Sequence, residues 1–128
     1  MSATAQQILS CAATCAGHAA DEAHARSAVS RSYYAAMHDC IVWEEGVLPI
    51  KGYVAPEVRG THIQLSSRLQ SPDPTLPAVL KIVSKQRSYA LRAFHALRVI
   101  ADYELLEDMP EEDAHQAVAN AQRIFAML

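Results

Sequence analysis

Arg31 and His38 stand seven residues apart, with the phenol of Tyr34 between them. Seven residues at about 100° each close two helical turns to within about 20°, so a helix would project both side chains from one side. An arginine forks onto phosphate oxygens and stays charged. A histidine titrates near neutrality and serves as acid or base. That pairing suits cleavage of RNA without a metal. A base must take the proton of a ribose 2′-hydroxyl, a cation must hold the phosphate, and an acid must protonate the leaving 5′-oxygen. One arginine and one histidine supply half of such a site. A two-fold dimer across this face would supply two of each, because an isologous interface presents the same patch twice. Spacing alone shows only that Arg31 and His38 can be neighbours.

The stretch that carries them has the strongest helical pattern in the chain. Val29, Tyr33, Ala36, Met37, Cys40 and Ile41 recur at three- and four-residue spacing, the mark of a buried helix face. Val29 and Cys40 fall roughly opposite Arg31 and His38. The arginine, histidine and phenol are thus expected on a second face that the chain's own core does not need. Asp39 points elsewhere and is not expected to orient the imidazole. His24, two turns before Arg31, and His62 and His95 on other helices are further candidates for the same site.

Arg31-Ser32-Tyr33-Tyr34-Ala35-Ala36-Met37-His38 resembles the R-x-Y-Y-A-A-F-H run of small prokaryotic HEPN domains, with Met37 where the family usually has phenylalanine. Arg98-Val99-Ile100-Ala101-Asp102-Tyr103 resembles the R-x-x-A-D-Y run that closes a later helix in those proteins. Gly60-Thr61-His62 resembles their threonine–histidine helix start. The likeness spans most of the chain in the same order. It implies an all-α, up-and-down helical bundle with two long antiparallel helices, and a dimeric, metal-independent endoribonuclease of the toxin class. Arg31 and His38 match the motif that meets in the dimer cleft of the active members. Taken with the resemblance, Arg31 is expected to bind the scissile phosphate, His38 to transfer protons, and Tyr34 to contact substrate. The resemblance also implies a small nucleotidyltransferase as antitoxin or partner. Some HEPN toxins carry a tyrosine two residues after the motif histidine, where that partner adds nucleotides; here the position is Cys40. A non-catalytic HEPN module that binds such a transferase is the alternative, and a monomeric nucleotide-binding domain a third.

Length and composition set bounds. A chain of 128 residues is expected to form one domain, residues 1–128, with a core that needs neither disulfides nor metals. About half of the residues are apolar, glycine is scarce, and no strand-like alternation occurs. The net charge of −3 argues against broad binding to nucleic-acid phosphates, and no DNA partner is expected. No apolar run approaches the roughly 20 residues that span a bilayer. The stretch Met1 to Gln7 lacks signal-peptide features. Three cysteines are expected to be free thiols in the cytoplasm. Cys11, Cys15 and His18 could share a helix face, but no second ligand cluster accompanies them, so neither metal nor cofactor is expected.

Five helices are expected: about Ala3 to Gly17, Asp21 to Glu45, His62 to Gln70 with Thr61 as N-cap, Thr75 to Ile100 or Tyr103, and one from Asp108 onward. Asp21 is a good N-cap, and Asp108 with Glu111 fits a capping box with Pro110 inside the first turn. The loop from Gly46 to Gly60 carries apolar residues and should pack down. Val79, Val83, Ala90, Phe94 and Leu97 are expected inside the fourth helix. Lys81, Lys85, Ser88, Arg92 and His95 form its solvated stripe. Arg87 and Arg98 fall on the shoulder of the apolar face, where a charge needs a partner. Asp102, four residues after Arg98, is the natural one, so Arg98, Asp102 and Tyr103 are assigned a structural role. Trp43 is expected to anchor packing.

Overall fold

The apolar periodicity produces five helices and, among the described residues, no strand. The computed structural model describes residues 3–128; Met1 and Ser2, part of the amino-terminal stretch considered above, lie outside it. The helices are α1 (Ala5–Ala16), α2 (Glu22–Val47), α3 (Thr61–Gln70), α4 (Ala78–Tyr103) and α5 (Glu111–Phe125). Their buried apolar residues form one cluster drawn from all five.

The helix starts follow local chemistry, not always where expected. Thr4 and Gln7 close a capping box on α1. Asp21 caps α2 by accepting from the Ala23 N–H. Thr61 is inside α3; the N-cap is Gly60, at φ 94°, a left-handed conformation that glycine adopts without steric cost. Pro77 is the N-cap of α4, and Pro110 that of α5. No side chain caps α5, so the Asp108–Glu111 capping box does not form. Glu111, Glu112 and Asp113 instead place negative charge in the first turn, where the helix dipole favours it.

α2 packs against α1, α4 and α5, and its burial is wider than a single stripe. Ala25, Ala28, Ser32 and Ala35 are buried along with Val29, Tyr33, Ala36 and Cys40. Small side chains let three neighbours approach one axis. In α4, Ser88 belongs to the interior: Ser84 donates to the Leu69 carbonyl at 2.6 Å and Ser88 to the Ser66 carbonyl at 2.7 Å. These bonds hold α3 against α4 and remove Ser88 from the expected solvated stripe. Val79, expected inside, is exposed.

Charged groups are buried only with partners. Arg87 is 1% exposed. It donates to Asp39 Oδ2 at 2.9 Å and to the Met127 carbonyl, and lies 4.9 Å from the centre of the Trp43 ring. Glu44, also buried, accepts both arms of the Arg68 guanidinium at 2.8 and 3.0 Å, the bidentate geometry that best offsets desolvation. Contacts between the two long helices run from Arg26 with Ile100, through Tyr33 with Phe94, to Asp39 with Arg87.

The loop after α2 packs down through its backbone. Tyr53 N–H donates to the Ser71 carbonyl at 2.9 Å. Gly52 lies so close that an added Cβ would fall 2.0 Å from the Arg68 carbonyl oxygen and 2.6 Å from that of Ser71. Gly52→Ala is therefore expected to lower unfolding stability by about 2 kcal/mol or more, the scale of overpacking a tight site. Urea titration against the parent chain measures it, and an unchanged midpoint would show that this loop does not hold to α3.

Candidate functional site

A shallow groove of about 500 Å³ runs between the first half of α2 and the end of α4, lined by Arg26, Ser30, Arg31 and Tyr34 on one side and Ala101 and Asp102 on the other. Its wall is a network around Arg98. Arg98 Nη2 donates to the Tyr34 hydroxyl at 2.9 Å. Arg98 Nε lies 2.9 Å from Asp102 Oδ2, a charge contact without hydrogen-bond alignment. Ser30 Oγ donates to the same carboxylate at 3.2 Å. The guanidinium carbon sits 5.3 Å from the Tyr34 ring centre and 5.4 Å from that of Tyr103. Burial alone would lower the Arg98 pKa, but Tyr34, Asp102 and Tyr103 outweigh it and raise it.

The four-residue spacing of Arg98 and Asp102 does give an ion pair. The sequence treats Tyr34 and Arg98 as members of separate groups; the structure joins them. Tyr34 is 43% exposed, so its ring still faces solvent while its hydroxyl is engaged. Arg31 is exposed at the edge of the groove. Among the described residues the ion pairs engage Arg26, Arg68, Arg87 and Arg98, and not Arg31. His38 is half-buried and does not line the groove. Seven residues of helix separate it from Arg31 by about 10 Å along the axis. Ala28 and Ala35, which point within about 60° of Arg31 on the helical wheel, are fully buried. The outward strip of α2 is thus narrower than an unneeded face.

Arg26 carries no motif signal and escapes the sequence reading. It donates to the carbonyls of Ile100 at 2.8 Å and Ala101 at 3.1 Å, and also to that of Glu107. A cation from α2 thereby satisfies the carbonyls at the end of α4 and complements its dipole. Glu22, one turn earlier, accepts from Met109 N–H at 2.7 Å. Asp39 is held by Arg87, and His24 pairs with Asp21 at 3.1 Å.

His62 and His95, named singly from the sequence, form a pair. Their ring centres are 4.4 Å apart; His62 meets Tyr33 in a T-shaped contact at 6.3 Å and His95 meets it tilted at 5.6 Å. They line a cavity of about 180 Å³ with Ser66 and Arg92. Burial, then the charges of His62 and Arg98, lower the His95 pKa. Burial pushes the Tyr33 phenol up to about 12. Cys40 is buried beside Arg87, and burial raises its thiol to about 11. Cys11 is exposed and Cys15 partly so. Among the described residues no three His, Cys, Asp or Glu side chains are grouped to hold a metal ion. Among the described residues no helix is long and apolar enough to cross a membrane.

Arg98→Ala strands Asp102 and the Tyr34 hydroxyl and is expected to cost roughly 3 kcal/mol, the scale of breaking a buried pair. Calorimetric melting checks it; unchanged melting together with loss of activity would move Arg98 from the scaffold to the site. The lowered His95 pKa has a definite sign. Protonation favours the unfolded chain, so this contribution to stability is complete above the ordinary value of 6.5 and is lost as pH falls below it. His95→Gln is expected to flatten that part of the pH–stability curve, measured by melting at about pH 7.5 and about pH 5.5. Compared with protein-family models, curated proteins and solved structures, the chain matches none of them.

Proposed function

We propose that this chain is a HEPN-type domain whose two long helices, α2 and α4, run antiparallel in an up-and-down bundle, and that it acts in the cytoplasm as a metal-independent endoribonuclease of the toxin class. The observation that carries this is the place of Arg31: an exposed guanidinium at a groove edge, outside the ion pairs among the described residues, on the motif that also bears His38. Arg26 and Arg98 beside it are occupied by carbonyls, Asp102 and Tyr34. A second copy of the chain completes the site. Tyr103 at the end of α4 and Leu105 and Leu106 just beyond it are exposed, and Arg26, which lines the groove, contacts the Leu105 carbonyl. These residues supply apolar area for a two-fold contact that the narrow strip of α2 lacks by itself.

In this dimer one His38 takes the proton from the ribose 2′-hydroxyl, whose oxygen attacks the adjacent phosphorus. The bond to the 5′-oxygen breaks, and the other His38 protonates that leaving group. The two Arg31 side chains hold the non-bridging oxygens, with the exposed ring of Tyr34 against the nucleotide. The products are a 2′,3′-cyclic phosphate and a 5′-hydroxyl end. Tyr34 is fixed by Arg98, so the structural trio of Arg98, Asp102 and Tyr103 acts by positioning. Cys40 is buried, so nucleotide addition at that position by a transferase antitoxin has no exposed acceptor.

The separation of His38 from the groove favours a second reading: a non-catalytic module that binds a small nucleotidyltransferase through the same face. Purified protein tested on RNA separates the two. His38→Ala is expected to lower the rate by about two to four orders of magnitude, and Arg31→Ala by a similar or smaller factor. Activity is expected to persist in EDTA and to vanish on a substrate with 2′-deoxyribose at the cut. Wild-type protein that cuts no RNA, with expression as harmless as that of His38→Ala, would leave the binding module.

A further inference from the structure

Away from the α2 groove, a cavity of about 690 Å³ opens between α4, α5 and the last residue of α3. The volume lies within the range of small-molecule sites. Its floor is apolar, with the buried side chains of Phe94 and Ile124. Two cations line it, Lys85 from α4 and Arg123 from α5, and no Asp or Glu does. Among the described residues no ion pair engages either cation. Arg123 has only a neutral contact, to Asn120 Oδ1 at 3.4 Å. The amides of Gln70 and Gln86 add hydrogen-bonding groups, and Tyr89, 77% exposed, stands at the lip. Both cations are exposed, and what sets them apart is their place on one cavity lining that has an apolar floor and no carboxylate. They attract an anion locally while the floor offers an apolar body a place out of water.

We propose that this cavity binds a small amphipathic organic anion. Its aromatic or aliphatic body lies on Phe94 and Ile124, and its carboxylate or phosphate group is held by Lys85 and Arg123. The site is independent of Arg31 and His38. It also differs from a plain anion site, because the floor is apolar, and from a plain hydrophobic pocket, because every charge lining it is positive.

Isothermal titration of the full chain with four probes tests this: phenyl phosphate, benzoate, inorganic phosphate and phenol. At least one of the two organic anions is expected to bind about tenfold or more tighter than both inorganic phosphate and phenol. The stronger of the two identifies the anionic group. The double substitution Lys85→Gln with Arg123→Gln is expected to lose about tenfold or more of that affinity. Ala93→Trp, which fills the cavity, is expected to abolish binding, whereas Arg31→Ala leaves it unchanged. Circular dichroism melting establishes that each variant is folded; should Ala93→Trp fail to fold, the double charge substitution and the probe series decide. Equal binding of inorganic phosphate, equal binding of phenol, full affinity in the double variant, or no binding of either organic anion at millimolar concentration would each overturn the proposal.

Discussion

Two guanidinium groups on one face of α4 set the geometry of this molecule. Arg87 and Arg98 are eleven residues apart, three helical turns, and both are buried. A charge out of water must be partnered, and breaking such a pair costs several kcal/mol. The partners are divided along α2. Arg87 reaches Asp39 and the Cys40 sulfur, and Arg98 reaches Tyr34 while keeping Asp102 from its own helix. Sliding one helix by a turn, about 5.4 Å, would part Arg87 from Asp39 and take the Tyr34 hydroxyl from Arg98. The register of α2 against α4 is thereby settled, and with it the position of every group on the outward strip of α2.

The same constraint accounts for how little of α2 is left outside. Alanines and a serine on its flanks admit α1 and α5 as well as α4, and what remains is a narrow strip with Arg31 exposed and His38 half-buried. A functional site there has to borrow its wall from elsewhere. It takes Ala101 and Asp102 from the end of α4, with Arg98 behind them.

Single-helix periodicity made much of the architecture legible. Residues recurring every three or four positions report which elements are helices, and the number and order of helices follow from that. The boundaries were less legible because proline and glycine act through φ and missing donors that a pattern of apolar residues does not encode; Gly60 and Pro77 are the cases in point. The site divided in the same way. The four-residue spacing of Arg98 and Asp102 announces a pair within one helix. Nothing in the order of residues announces that Tyr34 meets Arg98, that His62 meets His95, or that Arg87 finds Asp39. Those contacts depend on how helices are set against one another, and periodicity holds no information about that. Arg26 is legible only in its four-residue spacing from Glu22; its long-range partners are backbone carbonyls, which every residue has.

The bonds from Arg26 bear on lifetimes as well as geometry. The last turn of a helix opens easily, since its carbonyls have no partner in the helix itself. At the end of α4 Arg26 of α2 holds the Ala101 carbonyl and shares that of Ile100 with the Glu104 N–H. Local opening there must also break a contact between two long helices. Asp102 stands on that turn and Ser30 across from it. Loosening of the groove wall is thereby coupled to the pairing of α2 with α4, and slow exchange of the amides in that turn is the expected mark of such coupling.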